Sequence, residues 1–436
     1  MPASHQEAID RMSAKFIALR RTLPATARLR SPDSVTETRA ALVQQAQVAP
    51  KVEDLERLGL KAVDPCQQLL DGDNSFWPLC YLDAYVVETA DARLARRARA
   101  TLEPEYLIVP DVSMSLPLPA RGPLQPRLPR VKDEWPADSG VDLAHAAGIT
   151  GKGVRVCVLD TGVDADHREM RNRIIDFRYV PLDPKSNTLR TCRGFDVDGH
   201  GTHVASIIAG RNLGVAPGVE LMVAAVLESE TLKTSLERVV VALDWVLSMF
   251  KVEANLDKPV IINMSLGFTQ ASLDRIGYES AILGFQQIIT TLVEDFHVLP
   301  VVAVGNEGPG SMRAPAYFAD TLSVGAVDYA GAVAPFSGGG RSPLTQEVEP
   351  NVAGYGVEIL SGFERSIYNR SLYRRMSGTS MAAPYVTGIA ALCAAQNPSL
   401  QGRHLWQHLV KTALPLAAPA ERVGAGLARF VQEKTT

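Results

Sequence analysis

Three short polar clusters carry residue types that together can move a proton and attack a carbonyl. Asp160 lies in Leu159-Asp160-Thr161-Gly162, directly after the apolar run Val154 to Leu159. His200 lies in Asp198-Gly199-His200-Gly201-Thr202-His203, at the head of an apolar helical run. Ser380 lies in Ser377-Gly378-Thr379-Ser380-Met381-Ala382-Ala383-Pro384, where a long Ala-rich helix begins. An acid, an imidazole and a hydroxyl are the parts that acyl transfer needs. A serine at a helix start also has free backbone N–H groups and the positive end of the macrodipole beside it, both suited to a developing oxyanion. A fourth cluster, Ala303-Val304-Gly305-Asn306-Glu307-Gly308, supplies a side-chain amide donor. Singly, each cluster has a plainer reading as a turn or a helix cap. In the order Asp, His, Asn, Ser they point to one chemistry.

The surrounding elements are of a kind that positions such groups. Apolar runs at Val154 to Leu159, Leu221 to Leu227, Val260 to Leu266, Val298 to Val304 and Thr321 to Val327 alternate with helical patterns. Leu232 to Phe250 and Ala281 to Phe296 are two of these patterns. Near-continuous apolar strands separated by helices predict an α/β fold, a parallel sheet covered on both faces. Active sites of such sheets gather at the carboxyl ends of the strands, where Asp160 and Asn306 stand. Before them, a proline-rich stretch through Pro117, Pro119, Pro123, Pro126 and Pro129 reads as an extended linker. The predicted division is 1–111, a linker over 112–136, and 137–436. The first part predicts a small α+β unit: a strand at Lys15 to Leu23, a helix at Val35 to Gln47, a β-rich Tyr81 to Thr89, a helix at Ala90 to Leu102 and a strand at Tyr106 to Val109.

The four clusters resemble those of the subtilisin-like serine endopeptidases, and the resemblance runs from about Val141 to the last helix near Ala413. It implies that Asp160 orients the imidazole, His200 is the general base, Ser380 the nucleophile and Asn306 the oxyanion donor; subtilisin is itself a worked case for these roles. His203 reads as helix packing. Ser265-Leu266-Gly267 resembles the edge to which a bound peptide adds as a strand, with Gly305 on the facing loop. The N-terminal part is similar to the ferredoxin-like propeptide of this family, a chaperone and inhibitor over the active-site face. A permanent regulatory or substrate-recruiting domain is the other reading. The implied function is hydrolysis of polypeptide substrates through an acyl-enzyme. The alternatives are a catalytically silent peptide-binding relative and a dedicated maturation or regulatory protease for one partner.

Anchoring on Pro315 and the run Ser323 to Asp328 places Arg313 at or near the floor of the family's specificity pocket, or else on the loop surface. A guanidinium at that floor would favour an acidic residue before the cleaved bond. Self-processing would then follow an acid near the linker, with Asp111 the natural candidate and Glu105, Asp133 and Glu134 its competitors. The stretch Phe363 to Arg375 reads as an inserted, solvated loop carrying Arg365, Arg370, Arg374 and Arg375. Calcium is frequent in the family, but Asp164, Asp166, Asp183, Asp196 and Asp198 read as turn residues, so no metal or other cofactor is expected.

Composition narrows the setting. The chain has 436 residues, 46% hydrophobic and 21% charged, with 44 Lys and Arg against 48 Asp and Glu. That balance excludes disorder, and a formal charge of -4 gives no broad basic surface for nucleic acid. Asp10, Arg11, Lys15, Arg20 and Arg21 interrupt any signal-peptide core, and Asp244 breaks the best apolar window, so neither export nor a membrane partner is expected. Five cysteines at wide spacing (Cys66, Cys80, Cys157, Cys192 and Cys393) form no disulfide framework, which favours a reducing cytoplasm.

Overall fold

The computed structural model describes residues 15–21, 34–46, 49–63, 74–125, 135–180, 193–229, 233–268, 278–366, 368 and 370–432. Cys66, Asp133, Glu134, Asp183, Cys192, Pro126 and Pro129 lie outside them.

The expected parallel sheet is present. Its strands are β8 (Arg155–Asp160), β9 (Ile175–Tyr179), β10 (Glu220–Ala225), β12 (Val260–Met264), β13 (Val298–Ala303), β14 (Leu322–Val327) and β17 (Val352–Tyr355), in the spatial order β17-β14-β13-β12-β8-β10-β9. Every neighbouring pair is parallel. Successive residues of β8 face opposite ways, so Val156 and Val158 join one apolar cluster while Cys157 and Leu159 join another. The first cluster is closed by helices α5 (His200–Ala209) and α8 (Thr379–Gln396), the second by α6 (Leu236–Leu247) and α7 (Tyr278–Thr290). Burial of this kind stabilises by roughly 1.5–3 kcal/mol per large aliphatic side chain. Burial drives the Cys157 thiol pKa far up, so it behaves as a small hydrophobe.

The N-terminal unit runs β1 (Lys15–Arg20), α1 (Val35–Gln45), α2 (Val52–Arg57), β2 (Lys61–Ala62), β3 (Asn74–Leu79), β4 (Ala84–Thr89), α3 (Ala92–Leu102) and β5 (Tyr106–Pro110). Its sheet order is β2-β3-β4-β1-β5. Apart from the two-residue β2, this is the split β-α-β-β-α-β arrangement. Phe16 and Ala18 of β1 share a cluster with α2 and α3, whereas Ile17 and Leu19 belong to the cluster that holds α6 and α7, against which α1 also packs. The second face of this sheet is therefore covered by the catalytic half. Gly284, in the middle of α7, marks the contact, because a Cβ there would lie 2.7 Å from both Leu19 Cδ1 and Val109 Cγ2.

Residues 113–125, after β5, are extended and bound to the catalytic half. β6 (Ser113–Met114) pairs with β11 (Thr234–Ser235), and β7 (Ala120–Gln125) pairs antiparallel with β19 (Ser371–Ser377). β19 in turn pairs with β18 (Ile359–Arg365), after a short hairpin of β15 (Gly340–Arg341) and β16 (Val348–Glu349) earlier in the chain. The stretch Phe363 to Arg375 is thus largely two strands of a sheet, which corrects the solvated loop expected for it. Its arginines hid two inward-facing rings, Phe363 and Tyr373, each 2% exposed.

Candidate active site

Asp160 ends β8 and His200 opens α5, and the two meet with Asp160 Oδ1 2.7 Å from His200 Nδ1; both side chains are fully buried. Thr161 N also donates to Asp160 Oδ1 at 2.7 Å. The close approach depends on Gly201, whose absent Cβ would fall 2.2 Å from Gly162 O. Gly201 N instead donates to Thr161 Oγ1 at 2.8 Å. His203 turns away and meets Arg374 O through Nε2 at 3.0 Å; burial lowers its pKa to about 3, so it stays neutral. That agrees with its reading as packing.

Ser380 is the second residue of α8, with Gly378 as the helix cap. Its hydroxyl is fully buried and makes no hydrogen bond among the described residues. Asn306, in the loop after β13, is held by its amide oxygen, which accepts from Thr379 N at 2.9 Å and Thr379 Oγ1 at 2.8 Å. This fixes the amide so that Nδ2 points the other way, into the cleft. Thr379 is thus the residue that aims the donor, and only its place beside Ser380 hinted at a role.

The groove is filled by residues 113–125. Ser115 and Gly267 exchange both backbone hydrogen bonds at 3.0 Å, as an added antiparallel strand does. Met114 and Leu116 are each 1% exposed and belong to the apolar cluster that includes Leu266, Phe268, Val304 and Met312. Asn306 Nδ2 donates to Leu118 O at 3.0 Å. Pro119 then lies against Gly378, where a Cβ would be 3.2 Å from the Pro119 Cβ. Ala120 pairs with Ser377, and Arg121 bonds Asp198 Oδ1 at 2.6 Å. Asp198 Oδ1 also accepts from His200 N at 3.2 Å.

Other expected site residues are also placed. Ser265 is buried within reach of Asn263 Nδ2 at 3.4 Å, and Gly305 takes a positive φ of 119° that brings Glu307 close. Arg313 is in the groove and 7% exposed. Its Nη1 donates to Ser115 O and Oγ at 3.0 Å, while Nε meets Glu307 Oε1 at 2.9 Å and Nη2 pairs with the same carboxylate. Glu307 as its counter-charge was not foreseen. Asp111 is placed elsewhere: its Oδ1 accepts from Glu237 N at 3.0 Å, capping the first turn of α6.

Among the described residues, the acids considered for calcium are engaged by protein donors. Asp164 takes Arg365 Nε at 2.7 Å, Asp166 pairs with Arg193 at 2.9 Å, and Asp196 accepts from Thr202 N and Oγ1 at 2.8 and 2.7 Å. Among the described residues no three His, Cys, Asp or Glu side chains gather to hold a metal ion. Among the same residues no helix is long and apolar enough to cross a membrane.

Residues 151–426 match the model of the subtilase family. The chain is 42% identical over 374 residues to the subtilisin-like protease PopC of Myxococcus xanthus, covering 82% of this chain and 77% of that protein. It is 33% identical over 289 residues to subtilisin Savinase of Lederbergia lenta, covering 65% and 91% respectively. Among solved structures, a cold adapted subtilisin-like serine proteinase matches with a TM-score of 0.52 and 28% identity over 65% of this chain and 91% of the other.

Proposed function

The chain belongs to the subtilase family and is a serine endopeptidase, and from that premise we propose that Asp160, His200, Asn306 and Ser380 carry the reaction while the N-terminal part holds it shut. The observation that supports this most is the fixed amide of Asn306, anchored on Thr379 and already bonded to a peptide carbonyl. In this reading His200, held by Asp160, takes the proton of Ser380 as Oγ bonds to the scissile carbon. Asn306 Nδ2 and the Ser380 N–H at the start of α8 stabilise the oxyanion. His200 then protonates the leaving amine, the C–N bond breaks, and water releases the acyl group. Replacing Ser380 with Ala removes hydrolysis of a polypeptide substrate and labelling by a fluorophosphonate. Labelling of another residue with undiminished cleavage refutes the assignment. A silent peptide-binding relative would take no label in any form of the protein.

Arg313 bears on substrate choice. An acidic side chain before the cut bond would have to win the guanidinium from Glu307, so the acidic preference holds only where substrate displaces that pair. Self-processing at Asp111 requires that residue to leave its helix cap. Cleavage profiling on a proteome digest reads the preference and separates a broad degrader from a protease with one partner. No metal is required in this reading, which is supported by the protein partners of Asp164 and Asp196. A cytoplasmic setting is supported by the wide spacing of the five cysteines, which makes no disulfide framework.

A further inference from the structure

The bond offered to Ser380 is defined by the oxyanion donor, since the carbonyl that Asn306 holds is the one a nucleophile at Ser380 would attack. That carbonyl is Leu118, so the bond is Leu118–Pro119. Three observations set it apart from a substrate. The leaving nitrogen is a proline ring nitrogen with no N–H, and its ring crowds the side from which a leaving amine must take its proton. The Leu118 side chain is 60% exposed rather than seated, while Met114 and Leu116 are buried, so the residue at the bond contributes no pocket binding to the transition state. The chain is also anchored on both sides: upstream by the Ser115–Gly267 bonds and Arg313, downstream by the β7–β19 ladder and Arg121–Asp198.

We propose that residues 113–125 are an uncut strap, a substrate mimic that closes the groove as an intact chain and opens by displacement, with Pro119 as the residue that spares it from Ser380. The inference rests on the triad reading above. Were the Leu118 carbonyl attacked, the Oγ–C bond would form and the C–N bond would have to break. The Pro119 nitrogen would have to take its proton from His200 to leave, on the side that its own ring occupies, so the attack collapses back to the intact peptide. Opening instead requires β7 to leave β19 and Arg121 to leave Asp198. A polypeptide that pairs with the β19 edge is the kind of ligand that would drive it.

Intact mass is the first readout. The wild-type protein should remain one chain between residues 113 and 125 under long incubation, while Pro119→Ala should cut itself after Leu118 and Pro119→Ala/Ser380→Ala should not. Wild-type cleavage within 113–125 that Ser380→Ala abolishes overturns the proposal. So does a Pro119→Ala protein that hydrolyses added peptide yet stays whole. Hydrogen exchange in the Ser380→Ala background tests the strap without catalysis: the Ser115 and Gly267 amides should be protected, and Arg121→Ala should reduce that protection at least tenfold. Unprotected amides in the Ser380→Ala parent overturn the strap. With Ser380 restored, Arg121→Ala should raise peptide hydrolysis tenfold or more with no change in mass. Protected amides together with no hydrolysis or fluorophosphonate label in any variant would mean that the triad reading, rather than the strap, has failed.

Discussion

The two sheets of this protein solve the same problem unequally. The parallel sheet carries its own helices on both faces, α5 and α8 on one and α6 and α7 on the other. The N-terminal sheet carries α2 and α3 on one face and lays the other on α6 and α7, with α1 packed on that second side. A sheet with an uncovered apolar face is not an independent fold. The small unit is thus structured by the enzyme it covers, and α6 and α7 serve two layers at once.

The largest effect on that dependence is expected at Arg39. It is fully buried on α1, and it donates to the carbonyls of Phe296, Leu256 and Lys258 at 2.9 Å and of His297 at 3.3 Å while lying 4.4 Å over the Phe250 ring. Burial lowers its pKa to about 9 against the opposing pull of the Asp257 carboxylate, which still leaves it charged at neutral pH. Arg39→Ala strands four acceptors and should destabilise docking by about 3 kcal/mol or more. The expected readout is a separate, lower melting transition for the N-terminal half, with the catalytic half unmoved. Gly284→Val comes next, because the added atoms collide with Leu19 and Val109; overpacking of this kind costs about 1–3 kcal/mol. Loss of the parallel-sheet transition as well, in either variant, would break the asymmetry.

A smaller effect is expected from Asp244, which lies on α6 and accepts from Tyr81 N at 2.8 Å and Leu82 N at 3.1 Å across the same boundary. Burial raises its carboxyl to about 7 from an ordinary value near 3.8. The docked state therefore holds the proton more tightly than the undocked one. Docking should be tightest in acid, weaken as pH rises from near 4, and reach its weakest level above about 7. Asp244→Asn should flatten the pH dependence of the N-terminal transition between pH 5 and 8, and an unchanged slope would assign it elsewhere. The smallest effect is a null one. A calcium chelator should leave both transitions and the rate of hydrolysis where they were, and a fall in either would reveal a cation site.

The catalytic half was the more legible of the two in the sequence. Its chemical groups stand beside their own glycines, and its strands read as unbroken apolar runs. The parallel sheet and the meeting of Asp160 with His200 follow from such local patterns. What escaped is carried by contacts distant along the chain. Thr379 is unremarkable until it meets Asn306, and Glu307 until it meets Arg313. The strand β3 was missed because Pro78 breaks its pattern; among the described residues β2 pairs only with Ser75 and Phe76, so no ladder bond on that side asks for a Pro78 N–H. The prolines of the linker likewise hid β7, an edge strand whose partner lies about 250 residues away.

A strap on the same chain as its groove has a consequence for control by dilution. An inhibitor on a separate molecule dissociates as the solution thins, so its hold depends on how much of both is present. The segment between β6 and β7 is tethered on either side, and its local concentration is set by chain length, of millimolar order for short connections. The closed fraction of this protein is then the same at nanomolar as at micromolar protein. Opening is a first-order event that each molecule undergoes alone.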